Sequence, residues 1–287
     1  PGIIMEDGQT RIILLPGPPN ELVPMFEEQV YPYLKESQPE VICSKMVKLC
    51  GIGESSAETK ILDLIEKQTN PTVAPYAKTG EVHLRITAKA ATEEEAYQMI
   101  APVEDELQER FGDLIYTDDP RVSLEMAIYD LLKAKGLTVT TAESCTGGLL
   151  AGQLINVPGI SEYLKEGYVT YSNEAKEKLL GVPADILRQY GAVSSQTAEA
   201  MAAGGANAAN ADLCIAVTGI AGPDGGSKEK PVGLVYMSCY CKGRWYTQEH
   251  RYTGSRSKIR EYSVASALTL LRKTILAMDK PADFNNG

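Results

Sequence analysis

Apolar positions recur with two different periods along this chain, and the switches between them divide it into three parts. In the first part, residues 11–15 read as a strand that runs into Pro16-Gly17-Pro18-Pro19. A helix is expected to follow from Asn20 or Glu21 to about residue 34. One hairpin and one helix cannot bury a core by themselves. Residues 1–36, which start at Pro1 without a methionine, are therefore expected to be the tail of a domain whose front is missing.

The second part, residues 37–118, reads as a small α+β unit. A strand over 45–50 ends at Gly51-Ile52-Gly53, a plain strand-to-helix turn. The pair Ser55-x-x-Glu58 has the spacing of a capping box and predicts a helix with Ile61, Leu62 and Ile65 on one face. A strand over 71–77, a turn at Thr79-Gly80 and the alternation Val82, Leu84, Ile86 predict a hairpin. Thr92-x-x-Glu95 opens a second helix to about residue 111, giving the order β-α-β-β-α.

The third part, residues 119–287, alternates helix and strand more strongly. Ser123 can cap a helix carrying Leu124, Ala127, Ile128, Leu131 and Leu132, stopped by Gly136. Strands are expected over 137–141, 167–171 and 213–217. A hairpin of two more, 234–241 and 244–252, turns at Lys242-Gly243. Helices are expected after residue 148, from Asn173, over 195–209, and at the end, where Ile259, Val264, Leu268, Leu271 and Ile275 point inward. This pattern predicts a three-layer α/β domain with a mostly parallel sheet and an antiparallel edge. Ligands of such sheets bind beyond the carboxyl ends of the strands. The loops there are 143–148, 171–176 and 218–226, all rich in glycine or small polar residues.

Composition narrows the chemistry. At ~100–200 residues per domain, 287 residues make two domains and a piece. No apolar run approaches the ~18 residues of a membrane span. The net charge of −10 argues against nucleic acid as a partner, since phosphate neutralisation needs a basic surface. Only two histidines occur, His83 and His250, both in strand-like runs, so histidine-rich metal sites are excluded. The six cysteines contain no C-x-x-C, and Cys239 and Cys241 share one strand face. With no signal peptide visible, they are expected to be reduced thiols of a cytoplasmic protein.

Ser144 follows a strand and precedes Thr146-Gly147-Gly148, where the next helix begins. It can be a nucleophile with backbone N–H groups of that helix at hand, or simply the helix cap. With histidine scarce, a base for it would be a lysine. Lys176 sits in the first turn of a helix, where the dipole and desolvation both lower an amine pKa. The alternative is a solvated surface lysine. Tyr171 can relay a proton or pack at the rim. Arg256 and Arg260, one turn apart, suit phosphate or carboxylate recognition, or a surface ion pair with Glu261. The loop 219–226, followed by Lys228 and Lys230, can wrap a ribose or phosphate, or be merely flexible. Glu143 can orient a base or cap backbone. Asp224 stands alone in its loop, which speaks against a magnesium-dependent transferase.

The strings TAESCTGG (141–148), YVTYSNEAK (168–176), AVTGIAGPDGG (216–226) and KPVG (230–233) resemble the CinA family of competence/damage-inducible proteins. Residues 120–280 are similar to its C-terminal domain, a PncC-type nicotinamide mononucleotide (NMN) amidohydrolase. Residues 38–118 are similar to its KH-like middle domain. LLPGPPNEL (14–22) resembles the end of its molybdopterin-binding-like first domain. The resemblance implies deamidation of NMN to nicotinate mononucleotide by a Ser/Lys mechanism, without metal or cofactor. Ser144 would be the nucleophile, Lys176 the base and Tyr171 an assistant. Cys145, Thr146, Gly147, Asn173, Thr218, Gly219, Ala221, Gly222 and Arg256 would line the substrate site. A homodimer is plausible for the family. The first domain is linked in the family to metal-dependent ADP-ribose pyrophosphatase activity, which is expected to be absent here. The KH label implies RNA binding by analogy only, and no basic G-x-x-G supports it. The competing expectation is a nucleotide-binding protein of competence that does no chemistry.

Overall fold

The described residues form three sheets, and the last helix ties the two larger ones together. The computed structural model describes residues 1–8, 10–37 and 40–278. Part of the expected boundary between the first two units (38–39) and the end of the last unit (279–287) lie outside the described residues.

At the start, β1 (Ile3–Asp7) and β2 (Thr10–Leu14) form the expected hairpin, with Ile3 opposite Leu14. Ile3, Ile4, Met5, Ile12 and Leu14 are exposed on it. The single helix expected next is two, α1 (Pro19–Met25) and α2 (Tyr31–Ser37), joined by a π-helical turn at Phe26–Val30. Pro32 has no N–H to give to residue 28 and crowds its carbonyl, which widens the turn before it.

The middle unit contains β3 (Val41–Cys50), α3 (Glu54–Lys60), α4 (Leu62–Lys67), β4 (Thr72–Lys78), β5 (Glu81–Ala90), α5 (Glu93–Phe111) and β6 (Ile115–Thr117). Its antiparallel sheet has the order β4-β5-β3-β6, with α5 packed on β3 and β5. Val82, Leu84 and Ile86 point into its core beside Ile100 and Leu107. Thr92 caps α5 as expected, its Oγ1 accepting from the Glu95 N–H at 3.2 Å. The Ser55 box does not form. Extended Gly53 starts α3 two residues early, so Ser55 lies inside the helix, which then breaks at Ile61 and leaves Leu62 exposed. Strand β6 was not expected, because three residues are too few to show alternation.

In the last unit α6 (Leu124–Lys135) is capped by Ser123 and ended by Gly136 at φ +61°. Then come β7 (Val139–Glu143), α7 (Leu149–Ile155), β8 (Leu164–Val169), α8 (Asn173–Leu180), α9 (Ala184–Tyr190) and α10 (Ser195–Ala209). The chain finishes with β9 (Leu213–Gly219), β10 (Leu234–Cys241), β11 (Arg244–Arg251) and α11 (Arg256–Ala277). The sheet order is β11-β10-β9-β7-β8. Strands β8, β7 and β9 are parallel, while β10 and β11 form the antiparallel edge. Alternation along β9 feeds two cores. Leu213, Ile215 and Val217 face α6, α7 and α11, whereas Cys214 and Ala216 face α10. Helix α10 packs tightly because it carries glycine: a Cβ on Gly204 would sit 1.8 Å from the Leu180 carbonyl oxygen. All five residues expected to point inward from α11 are buried.

Helix α11 also joins the units. Arg272, only 8% exposed, donates to the carbonyls of Asp113 at 2.6 Å and Ile115 at 2.7 Å. In return Lys48 donates to the carbonyls of Pro120 and Val122, both at 2.7 Å. A cleft of about 830 Å³ opens at this junction, lined by Gly51, His250, Tyr252 and Lys273 among others, and Ser144 does not line it. Replacing Arg272 with Met removes two charge-assisted hydrogen bonds, each worth about 1.5–3 kcal/mol. The urea midpoint of Arg272→Met is therefore expected to fall by an amount equivalent to about 3–6 kcal/mol. An unchanged midpoint would show that the junction does not depend on this side chain.

Candidate active site

Strand β7 lies between its two parallel neighbours, and the chain leaves its carboxyl end through Ser144. The Ser144 N–H donates to the Val217 carbonyl at 2.9 Å, so the residue is held by the sheet itself. The cap of α7 is Glu143. Its fully buried carboxyl group accepts from the N–H groups of Gly148 (2.9 Å), Leu150 (3.1 Å) and Ala151 (2.8 Å). Two expectations are corrected here. Ser144 is not the helix cap, and the first N–H groups of α7 are already occupied. Of the two roles considered for Glu143, capping is the one observed.

On the β8 side, the Thr170 N–H donates to the Glu143 carbonyl at 2.8 Å, which fixes the segment after β8 beside Ser144. Ser172 then caps α8, accepting from the Ala175 N–H at 3.1 Å. Lys176 is in the first turn of that helix and is turned inward, 1% exposed. Its Nζ is hydrogen-bonded to Ser144 Oγ at 3.1 Å and donates to the Thr170 carbonyl at 2.8 Å. No carboxylate pairs with it among the described residues. Burial pushes its pKa below the ordinary 10.5. The positive end of α8 acts in the same direction. Ser144 itself is 8% exposed. The neighbouring Cys145 thiol is pushed up to about 11 by burial, so it stays protonated at neutral pH and is no rival nucleophile.

The other expected residues surround this pair. Arg256, at the start of α11, donates to the Gly222 carbonyl at 2.7 Å and to the Tyr171 hydroxyl at 3.3 Å. Tyr171 is 65% exposed, and its hydroxyl bonds Arg256 rather than Ser144 or Lys176. Asn173 is the exposed first residue of α8. Thr218 is buried and donates to the Ala192 carbonyl at 2.7 Å. Gly219 has no room for a side chain, since a Cβ would lie 2.9 Å from the Leu234 carbonyl oxygen. Ala221 is buried, and Gly222 has φ +74°. Thr146 is buried, and its hydroxyl has no hydrogen-bond partner among the described residues.

Two cations do other work than expected. Arg260 makes neither an anion site nor a pair with Glu261: it donates to the carbonyls of Cys145 at 3.0 Å and Thr146 at 2.8 Å. Lys230 donates to the carbonyls of Tyr190 at 2.6 Å and Val193 at 2.7 Å, pinning the glycine-rich loop to the end of α9. Asp224 and Lys228 are exposed. Among the described residues no group of three or more His, Cys, Asp and Glu is placed to hold a metal ion. No described helix is long and apolar enough to cross a membrane.

The fold and the site together define an α/β protein with a buried serine–lysine pair at the carboxyl edge of a mixed sheet. The family described as the CinA C-terminal domain matches residues 121–275, and the damage-inducible protein CinA KH domain matches residues 44–117. A competence-damage inducible protein of Clostridium beijerinckii is 51% identical over 276 residues, covering 96% of this chain and 67% of that protein. A CinA-like protein of Dictyoglomus thermophilum shows the same identity and coverage. Among solved structures, a competence/damage inducible protein from Agrobacterium tumefaciens is 44% identical with a TM-score of 0.51, covering 55% of this chain and 94% of that one. A CinA superfamily protein from Klebsiella pneumoniae is 36% identical with a TM-score of 0.52, covering 53% and 96%. The chain belongs to the CinA family, and it spans about two thirds of the length of these curated relatives.

The lowered Lys176 pKa has a thermodynamic signature. Between the folded pKa and 10.5 the unfolded chain binds more protons than the native one, so stability rises with pH. Lys176→Met removes this dependence. The wild-type unfolding free energy, relative to Lys176→Met, is expected to be least favourable at low pH and to improve as pH rises towards 10.5. Urea titrations of both proteins from pH 6 to 10 give the slope, and a flat difference would mean the amine is not desolvated.

Proposed function

We propose that this chain hydrolyses the carboxamide of nicotinamide mononucleotide, giving nicotinate mononucleotide and ammonia, as a step in pyridine nucleotide salvage. The observation that carries the reading is the 3.1 Å contact between a serine hydroxyl and a buried amine whose pKa burial lowers. Binding alone does not require such a pair.

With Lys176 neutral, the Ser144 hydroxyl donates to its lone pair while Thr170 holds the amine in place. Ser144 Oγ attacks the carboxamide carbon as its proton passes to Lys176 Nζ. The carbonyl oxygen becomes an oxyanion facing backbone N–H groups of the turn at 145–147. As the tetrahedral intermediate collapses, the C–N bond breaks and Lys176 returns the proton to the leaving nitrogen, which departs as ammonia. Water then attacks the acyl-enzyme and gives its proton to Lys176. The ester bond breaks, Ser144 takes the proton back and the acid leaves. Arg256 and Tyr171, at the open side of the pair, suit the phosphate and ribose end of the substrate. No step calls for a metal or cofactor.

Ammonia release from NMN by the purified chain, undiminished by a chelator, is the expected result. Ser144→Ala is expected to lower turnover by more than ~1,000-fold with NMN affinity within a few-fold. Lys176→Arg is expected to be equally inactive, because a guanidinium is not a base near neutral pH. NMN binding without ammonia would make the chain a nucleotide-binding protein of competence. A Ser144→Ala protein with near-normal turnover would remove the serine from the chemistry.

A further inference from the structure

Arg260 was a candidate ligand of the substrate, and the fold uses it differently. It reaches from the second turn of α11 to the segment that follows Ser144, and its Nε and Nη2 each hold one carbonyl, those of Cys145 and Thr146. In a trans peptide the C=O of one residue and the N–H of the next point in opposite directions. Fixing these two carbonyls on Arg260 therefore turns the N–H groups of Thr146 and Gly147 away from it. The turn is tight enough to depend on this grip: Gly147 has φ +61°, and a Cβ there would sit 3.4 Å from Arg260 Nη2.

The donors nearby divide cleanly. The Ser144 N–H is on Val217, and those of Gly148, Leu150 and Ala151 are on Glu143. The Leu149 N–H is on the Thr146 carbonyl. The Cys145 N–H faces its own thiol, and the N–H groups of Thr146 and Gly147 have no partner among the described residues. They directly follow a serine whose oxygen is bonded to a buried base.

We propose that Arg260 is a positioning residue, and that its hold on two carbonyls presents the Thr146 and Gly147 N–H groups as the oxyanion donors for attack by Ser144. This deepens the amide-hydrolysis reading and rests on it. A lysine at 260 would lack the planar fork that sets the direction of both carbonyls: Lys48 and Lys230 each hold two carbonyls elsewhere in the fold, but as point charges on flexible stems.

The test uses the full chain, wild type and Arg260→Lys, with two probes. NMN reports ground-state binding and turnover. Ser144 Oγ adds to the trigonal boron of pyridine-3-boronic acid as the serine O–H bond breaks and its proton passes to Lys176, giving a tetrahedral boronate with one of its hydroxyl oxygens in the oxyanion position. Arg260→Lys is expected to lower kcat by about 100-fold and to weaken boronate binding by a similar factor. KM for NMN and the acid limb of the pH profile are expected to stay within three-fold and 0.3 units, roughly the resolution of such a comparison. Arg260→Ala with added guanidinium ion is expected to recover part of the lost kcat. Boronate affinity and kcat both within about three-fold of wild type would overturn the proposal. So would a variant that loses its thermal transition, because a purely structural clamp predicts that outcome. A wild type that binds the boronate through Ser144 but releases no ammonia from NMN would refute the NMN reading, and the boronate arm would still decide the role of Arg260.

Discussion

A buried amine with no carboxylate partner among the described residues is the constraint around which the last domain is arranged. Burying an ammonium without a partner costs several kcal/mol, and the group yields by giving up its proton. Lys176, whose pKa burial lowers, lies between a carbonyl and a hydroxyl, not beside a carboxylate. A carboxylate next to it would push that pKa back up. The one acidic side chain adjacent in sequence to Ser144, that of Glu143, is turned the other way and tied to three backbone N–H groups of α7. The parallel pairing of β7 with β8 completes the arrangement by bringing Thr170 alongside Glu143.

A second theme is the use of cations on backbone carbonyls. Arg256, Arg260, Lys230, Arg272 and Lys48 each donate to at least one carbonyl oxygen from a distant part of the chain. Such bonds fix loops that have no ladder of their own and satisfy acceptors that would otherwise be buried unpaired. They also explain how a chain of net charge −10 keeps basic residues around its cleft without making it a broad anion-binding surface.

Much of this was legible in the sequence. The alternation of Val82, Leu84 and Ile86, the Ser123 cap and the inward face of α11 all follow from local period and capping chemistry. Ser144 and Lys176 could be named because a small-residue turn and a helix start are local features. What could not be read was every contact made by backbone. A carbonyl such as that of Thr170 has no side-chain signature, and only the parallel pairing of two strands puts it under an amine six residues on. For the same reason Arg260 and Lys230 looked like ligands of a substrate: an arginine near glycines carries the same signal whether its partner is a phosphate or a peptide oxygen. Tyr171 illustrates the remaining gap. Strand β8 ends at Val169, two residues before it, and its side chain leans outward to Arg256.

Helix α11 spans 22 residues, about 33 Å at the rise of an α-helix. Its first turns carry Arg256 and Arg260, and a later turn carries Arg272, locked to the middle domain. One continuous helix therefore carries both the contacts to the middle sheet and those to the peptide groups beside Ser144.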